Sequence, residues 1–412
     1  MQIQKIISNR NLLFLLFLSL FLISLYNTPG ETQMKDTRIT GRATAANTTF
    51  GLNLFARLHQ STPAENVFFS PASVLWCLSM VLNGAEGQTK DELAAALHVT
   101  GLKIQDLNAI FRDWKQSLSS IDPKVEIEVA NSIWSRRGVG IRQEFITLNQ
   151  TYFGSDVTEL DFNNPQSLSI INSWVKNKTR GKIEKIVDQI SPDSVLFLIN
   201  AIYFNGKWTR EFDVSRTKPD RFTTLSGTQK QIPMMRQRGT YSYKEQKDFQ
   251  AVSLPYGNER LSMYVFLPSE ASNLKTFRAS FTAENWQNWM AGFETAEGEI
   301  ALPRFNVAYE VEMKQALKSL GIRAAFDPQQ ADFGAMIRGA SAYISGVKHK
   351  AMAEITEEGT VAAAATSTEM RVVSMLVPQR KFQMIVNRPF LFAIRDNTSG
   401  LILFIGSVAD PS

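Results

Sequence analysis

Cysteine is nearly absent from this sequence. The single one, Cys77, lies in the apolar run from Val74 to Leu82. One cysteine excludes an internal disulfide and a cysteine-based zinc site, and its setting reads as a buried small hydrophobe rather than a nucleophile. Histidine is scarce too: His59, His98 and His349 are scattered, and no HExxH or GxSxG pattern occurs. Without a nucleophile-and-base constellation, nothing supports a hydrolase, and the chain is not expected to be an enzyme. No metal or other cofactor is implied. An excess of one charge is also lacking. The formal charge is +5, of which Lys5 and Arg10 would leave with the first thirty residues; so small an excess excludes nucleic acid as the expected partner. Around Gln105 to Leu118 only Arg112 and Lys115 are basic, too few for a heparin-type polyanion patch.

The 412 residues are enough to bury a large core. Lys5 and Arg10 precede an apolar run from Leu12 to Tyr26, broken only by Ser19 and Ser24. That length suits a signal-peptide core and is short for a membrane span. Residues 1–26 are therefore expected to be a signal peptide, or an anchor if they stay uncleaved, which makes the protein secreted or extracytoplasmic. Residues 27–46 are small and polar and read as a disordered tether, with one folded domain over 47–412. Within it, helical and alternating segments are intermixed without repeats or a linker, which points to an α+β fold with several sheets. Ser70 and Pro71 open a helix, Ala72 to Asn83, that is apolar nearly all round. Thr89 and Glu92 have the spacing of a capping box. Val195 to Tyr203 reads as a strand buried on both faces. Val311 to Leu320 reads as a helix, and Phe382–Arg395 with Leu401–Val408 as a closing strand pair. Four Asn-x-Ser/Thr sites stand at Asn47, Asn149, Asn177 and Asn397.

One stretch, Glu357 to Pro378, has an unusual texture: EEGTVAAAATSTEMRVVSMLVP. The alanines favour helix, whereas Gly359 and the β-branched residues do not. Read with period two, one face carries Thr360, Ala362, Ala364, Thr366, Thr368, Met370 and Val372. The other carries Val361, Ala363, Ala365, Ser367, Glu369, Arg371 and Val373, so both charges share it. As a strand, the segment could bury its first face without burying a charge; as a small-residue linker it would be unremarkable.

Several motifs, in order, resemble one family, the serpins. They are Asn66 to Ser73 (NVFFSPAS); Ile171, Asn172, Trp174 and Val175 followed by Gly181, Lys182 and Ile183; Leu198 to Trp208 (LINAIYFNGKW); His349 to Ala351 ahead of the Glu-Glu-Gly-Thr segment; Asn387 to Phe390; and Phe404 to Val408. The resemblance runs from about Phe50 to Pro411. It implies three β-sheets, eight or nine helices and an exposed reactive-centre loop, here Gly359 to Pro378. It also implies a function: a monomeric protease inhibitor acting as a suicide substrate. A serine protease, less often a cysteine protease, cuts the loop and becomes acylated. The loop then enters the main sheet as a new strand and drags the covalently bound enzyme away.

The resemblance assigns residues as well. The hinge is Glu357, Gly359, Thr360 and Ala362, Ala363, Ala364 and Ala365. Ser70, Ser73, Asn200 and His349 match the shutter, a polar cluster under the main sheet. Trp208, Arg304 and Glu357 match the breach, with Arg304 where family members commonly carry lysine. Counting fourteen positions from Gly359 puts the scissile bond at Val373–Ser374; the competing bond is Arg371–Val372. Valine suits the shallow apolar pocket of an elastase-like protease, and arginine suits trypsin. The alternative function is a non-inhibitory serpin serving as a carrier, storage protein or chaperone. Such members often carry charge, proline or bulk in the hinge, whereas Gly359, Thr360 and Ala362 to Ala365 are all permissive.

Overall fold

The computed structural model describes residues 29–62, 64–119, 121–191, 193–272, 274–339, 342–359 and 381–412. The expected leader and the stretch 360–380, with both candidate scissile bonds, lie outside the described residues. The chain divides into two units, Met1–Ala43 and Thr44–Ser412. In the described part, the elements run α1 (Pro29–Ser61), β1 (Val67–Phe69), α2 (Pro71–Leu82), α3 (Gly87–Ala96), α4 (Ile104–Ser119), β2 (Val125–Arg136), α5 (Gln143–Phe153), β3 (Asp156–Leu160), α6 (Gln166–Lys178) and β4 (Leu196–Gly206). Next come β5 (Lys218–Thr223), β6 (Gln229–Gln246), β7 (Phe249–Tyr256), β8 (Leu261–Pro268), α7 (Leu274–Ala279), α8 (Ala283–Met290), β9 (Glu294–Pro303), β10 (Phe305–Glu312) and α9 (Lys314–Ser319). The chain closes with β11 (Ile344–Ile355), β12 (Lys381–Ile385), β13 (Phe390–Asp396) and β14 (Ile402–Val408). No helix among the described residues is long and apolar enough to cross a membrane.

Two hydrogen-bonded networks carry the strands. One has five strands in the order β10-β11-β4-β2-β3. The other has nine, β1-β14-β13-β8-β7-β6-β9-β12, with β5 added on β6. Its two halves meet only through β6 and β7, over the pairs from Ser242–Ser253 to Gln246–Phe249. Counted as separate halves, these give, with the five-stranded sheet, the three sheets expected. Helix α2 is buried from end to end and packs against β14 on one side and β4 and β2 on the other. An all-round apolar helix is stable only in such a place, with a sheet on each face. Its Ser70 cap is as expected, the Oγ accepting from Ser73 N at 3.1 Å.

Helix α1, with Pro29 at its start, also covers residues 29–46, the stretch whose composition suggested a tether. Several sequence expectations need correction. Thr89 and Glu92 do not cap α3. Thr89 Oγ1 accepts from Asp332 N, and Glu92 Oε2 accepts from Arg323 and Ala324 N, so both pin a distant loop. The segment expected as a helix from Val311 is strand as far as Glu312, paired with β11, and helical only over Lys314–Ser319. The closing stretch 382–395 is two strands, because Asn387-Arg-Pro breaks the ladder. Two of the four glycosylation sequons, Asn47 and Asn149, are buried. Asn47 Oδ1 accepts from Ile402 N at 3.1 Å, which joins the α1 helix to the final strand.

At the turn between β13 and β14, Asp396 is almost wholly buried and paired with Arg260 at 3.1 Å. Burial alone would raise its pKa, but bonds from Arg260, Ser399 and the Thr398 N–H, with the Arg260 charge, hold the carboxyl below its ordinary range. A depressed carboxylate pKa contributes stability above the unfolded value, near 3.9, that is lost as pH falls through the folded one. Asp396→Asn is expected to cost about 3–5 kcal/mol at neutral pH, because it leaves Arg260 unpaired. Urea unfolding at pH 7 and pH 3 checks this: the gap between wild type and variant should shrink at the lower pH.

Candidate functional site

The site is built where β11 ends and its chain turns back. Thr356 and Gly359 face each other as a hydrogen-bonded pair: Thr356 N donates to Gly359 O at 2.6 Å, and Gly359 N to Thr356 O at 3.1 Å. Glu357 and Glu358 are thus the two central residues of a tight hairpin turn. Gly359 has φ +116, and a Cβ there would lie 2.1 Å from Gly206 O; only glycine fits. The turn is tied to the segment leaving β4. Trp208 N donates to Glu358 O at 2.9 Å and Phe212 N to Glu357 O at 2.7 Å. The Trp208 indole N–H reaches Thr356 O at 2.9 Å, and its ring stacks on Tyr256 at 4.3 Å. Glu357 is buried, with its Oε1 3.6 Å from Arg304 Nη1 and no hydrogen bond to that oxygen. Trp208, Arg304, Glu357 and Gly359 are therefore brought together. Thr360 and Ala362 to Ala365 lie outside the described residues.

The main sheet has an unusual centre. β11 and β4 pair in parallel from Ile344–Leu196 to Ala353–Phe204, while their outer neighbours, β10 and β2, pair with them antiparallel. Two neighbouring pairs in the register, His349–Asn200 and Asn200–Asn131, place three polar residues in one row across this seam. Their side chains are bonded: His349 Nδ1–H to Asn200 Oδ1, and Asn200 Nδ2 to Asn131 Oδ1 and to Ser73 Oγ. Asn200 Nδ2 also reaches Ser73 O at 3.1 Å. Of the four residues expected in this cluster, Ser73, Asn200 and His349 meet directly, and Ser70 acts as the cap beneath them. Asn131 was missed. In the sequence it is one amide in an alternating strand, and only the register shows its partner.

His349 is fully buried, and burial pushes its pKa down to about 3. The neutral ring keeps its proton on Nδ1, facing the Asn200 Oδ1 acceptor, and among the described residues the buried Nε2 has no hydrogen-bond partner. Cys77 is likewise inert, its thiol pushed up to about 12 by burial. Among the described residues no group of His, Cys, Asp and Glu side chains could hold a metal ion.

The sequence profile described as Serpin (serine protease inhibitor) matches residues 45–411. The chain belongs to the serpin family. It is 33% identical over 379 residues to the pig (Sus scrofa) leukocyte elastase inhibitor, covering 89% of this chain and 99% of the relative. It is 32% identical over 376 residues to mouse (Mus musculus) neuroserpin, covering 88% of this chain and 90% of that one. Among solved structures, the thermophilic serpin tengpin in its native state superposes with a TM-score of 0.81 at 29% identity, over 90% of this chain and 94% of that one. Human thyroxine-binding globulin in complex with its ligand gives a TM-score of 0.83 at 25% identity, over 91% and 100%. Serpins are protease inhibitors and generally not enzymes, and the relatives of this one include both inhibitors and a hormone-binding member.

A group with a depressed histidine pKa contributes stability that is present above its unfolded value, near 6.5, and is lost as pH falls toward the folded value of about 3. His59, also buried and lowered to about 3, acts in the same direction. The serpin is therefore expected to lose stability steadily between pH 6.5 and 4. His349→Ala should be less stable at pH 7, with a shallower slope in that window by one proton. Urea midpoints measured across the range check both; an unchanged slope would remove His349 from the account.

Proposed function

We propose that this serpin is an inhibitor of serine proteases that works as a suicide substrate. The observation that carries the reading is the register set by the Thr356–Gly359 pair. Continued in step, an antiparallel strand would set Thr360 opposite Ile355, Ala362 opposite Ala353, Ala364 opposite Ala351, Thr366 opposite His349 and Thr368 opposite Val347. Every one of those β11 residues is buried, and the residues between them are half-buried. Directly opposed residues share a face, so Thr360 to Thr368 would turn their uncharged face to the core; Glu369 and Arg371 would fall opposite Gly346 and Ile344, at the register shift where the alternation of β11 breaks. A strand entering between β4 and β11 would also replace a parallel pair with two antiparallel ones, the slightly more stable arrangement per residue.

The proposed target is an elastase-like serine protease cutting Val373–Ser374. Its serine attacks the Val373 carbonyl, the Ser374 amine leaves with a proton, and an acyl-enzyme remains. In the continued register Arg371 falls opposite Ile344, the first residue of β11. Val373 lies two residues beyond, so an enzyme attached there clears the sheet edge. An enzyme attached to Arg371 would arrest insertion earlier, giving leakier inhibition of trypsin. The hormone-binding relative keeps a carrier role as the second reading, but Gly359 and the alanines after Thr360 offer insertion no obstacle. Residues 1–26 are proposed to export the chain, which acts as a monomer.

Two results decide between these readings. Mixed with a pancreatic elastase, the serpin is expected to give an SDS-stable band at the summed mass, and the released C-terminal peptide should begin at Ser374. A peptide beginning at Val372 from the best-inhibited protease would move the bond; clipping without a covalent band would favour the carrier. Second, Thr360→Arg would place an unpaired charge opposite Ile355, at several kcal/mol. That variant should be cut as a substrate, with a stoichiometry of inhibition several-fold above wild type. Complex formation at the wild-type stoichiometry would sink the insertion mechanism.

A further inference from the structure

A groove of about 550 Å³ lies between α1, α3 and the end of α9, away from the hinge and the polar row. That volume is in the range of small-molecule sites. It is lined by the alanine side chains of Ala56, Ala95 and Ala96 and by charged groups of both signs, Arg57 and Glu92. On the α1 wall stands Arg57, exposed and with only Nη1 engaged, to Gln60 at 3.3 Å, among the bonds described. Beside it, Asn53 Nδ2 lies 3.2 Å from His98 Nε2; an amide NH₂ has two hydrogens to donate. On the α3 wall stands Glu92. Its burial would raise its pKa, but the backbone N–H groups of Ala324 and Arg323 hold it ionised below the usual range. Oε2 takes both of those bonds, while Oε1 accepts only Gln88 at 2.8 Å and has a lone pair to spare.

The backbone adds to this polarity. Two helices end at the groove, α3 at Ala96 and α9 at Ser319, and the carbonyl end of a helix favours a cation. His98 closes α3 in the left-handed region at φ 57, with its N–H on Ala95 O and the Val99 N–H on Ala94 O. A side chain held there costs energy that glycine would avoid, and it stands the imidazole against Asn53. Burial lowers the His98 pKa, which favours the neutral ring; Arg57 and Glu92 then give the groove charges of opposite sign, with the Arg323 charge also acting on Glu92.

We propose that this groove binds a small zwitterion of the amino-acid class, its carboxylate on Arg57 and Asn53 and its ammonium on Glu92 and the helix ends. The lining alanines would take an aliphatic side chain. A ligand with only one charge would leave the opposite wall unpaired, which is the basis of selectivity. The proposal does not depend on the inhibitory reading, since neither the loop nor a protease takes part.

Titration calorimetry on the full chain with L-leucine, isocaproate and isoamylamine tests it, because the last two each carry one of leucine's charged groups. Leucine is expected to bind saturably, and each half-ligand at least about tenfold more weakly, the scale of one lost charge-assisted bond. Arg57→Gln should weaken leucine about tenfold. Glu92→Gln, whose amide oxygen can still accept from Arg323 and Ala324, should do the same. No saturable heat with leucine, equal binding of isocaproate, or full affinity in both variants would overturn the proposal. Because the half-ligand comparison uses the wild-type chain, it stands even if a variant folds poorly.

Discussion

Everything distinctive in this molecule depends on the parallel pairing of β4 with β11. Both strands are central, both are bonded antiparallel on their outer sides, and they meet each other in the same direction. A parallel pair needs a long crossover, and here the crossover takes in the whole chain from Gly206 to Ile344. The two strands are therefore held together by their ladder, by the His349–Asn200 bond and by what packs on them, not by a short turn. Such a seam can part without unfolding either half, because each strand keeps its outer partner.

The polar row suits that role. An apolar seam would be stronger, but hydrogen bonds can be exchanged one at a time as strands move. Asn200 sits in the middle, bonded at once to His349 across the seam, to Asn131 on its own side and to Ser73 on the helix below. If His349 moved away, Asn200 would keep two of these partners. Among the described residues, the Nε2 of His349 has no hydrogen-bond partner.

Much of this was legible in the sequence, for different reasons. Helix α2 and its Ser70 cap could be read locally, since an all-apolar helix and a Ser-Pro start are signals within one turn. The alternation after Gly359 is visible in the sequence, where composition also allows a linker, but those residues lie outside the described ones. What failed was long-range. Thr89 and Glu92 have capping-box spacing, yet their oxygens serve N–H groups more than two hundred residues away. Asn131 looked ordinary because its meaning comes from the register of three strands. Helix α1 begins at Pro29, and the small, polar sequence that follows carries no helical apolar periodicity to announce it.

The two-residue turn at Glu357 and Glu358 also acts as a phase setter. Side chains in a strand alternate with a period of two, so the parity of the turn decides which half of the following sequence points inward. In the proposed insertion, the two residues between Thr356 and Gly359 would put even-numbered positions on the face of Ala351 and Ala353. The same two-residue turn displaced by one inserted residue would put odd-numbered positions there instead, with no substitution anywhere in the loop. The loop's composition is thus only half of the specification. The other half is a length, fixed by a glycine whose Cβ position is already occupied by the carbonyl of Gly206.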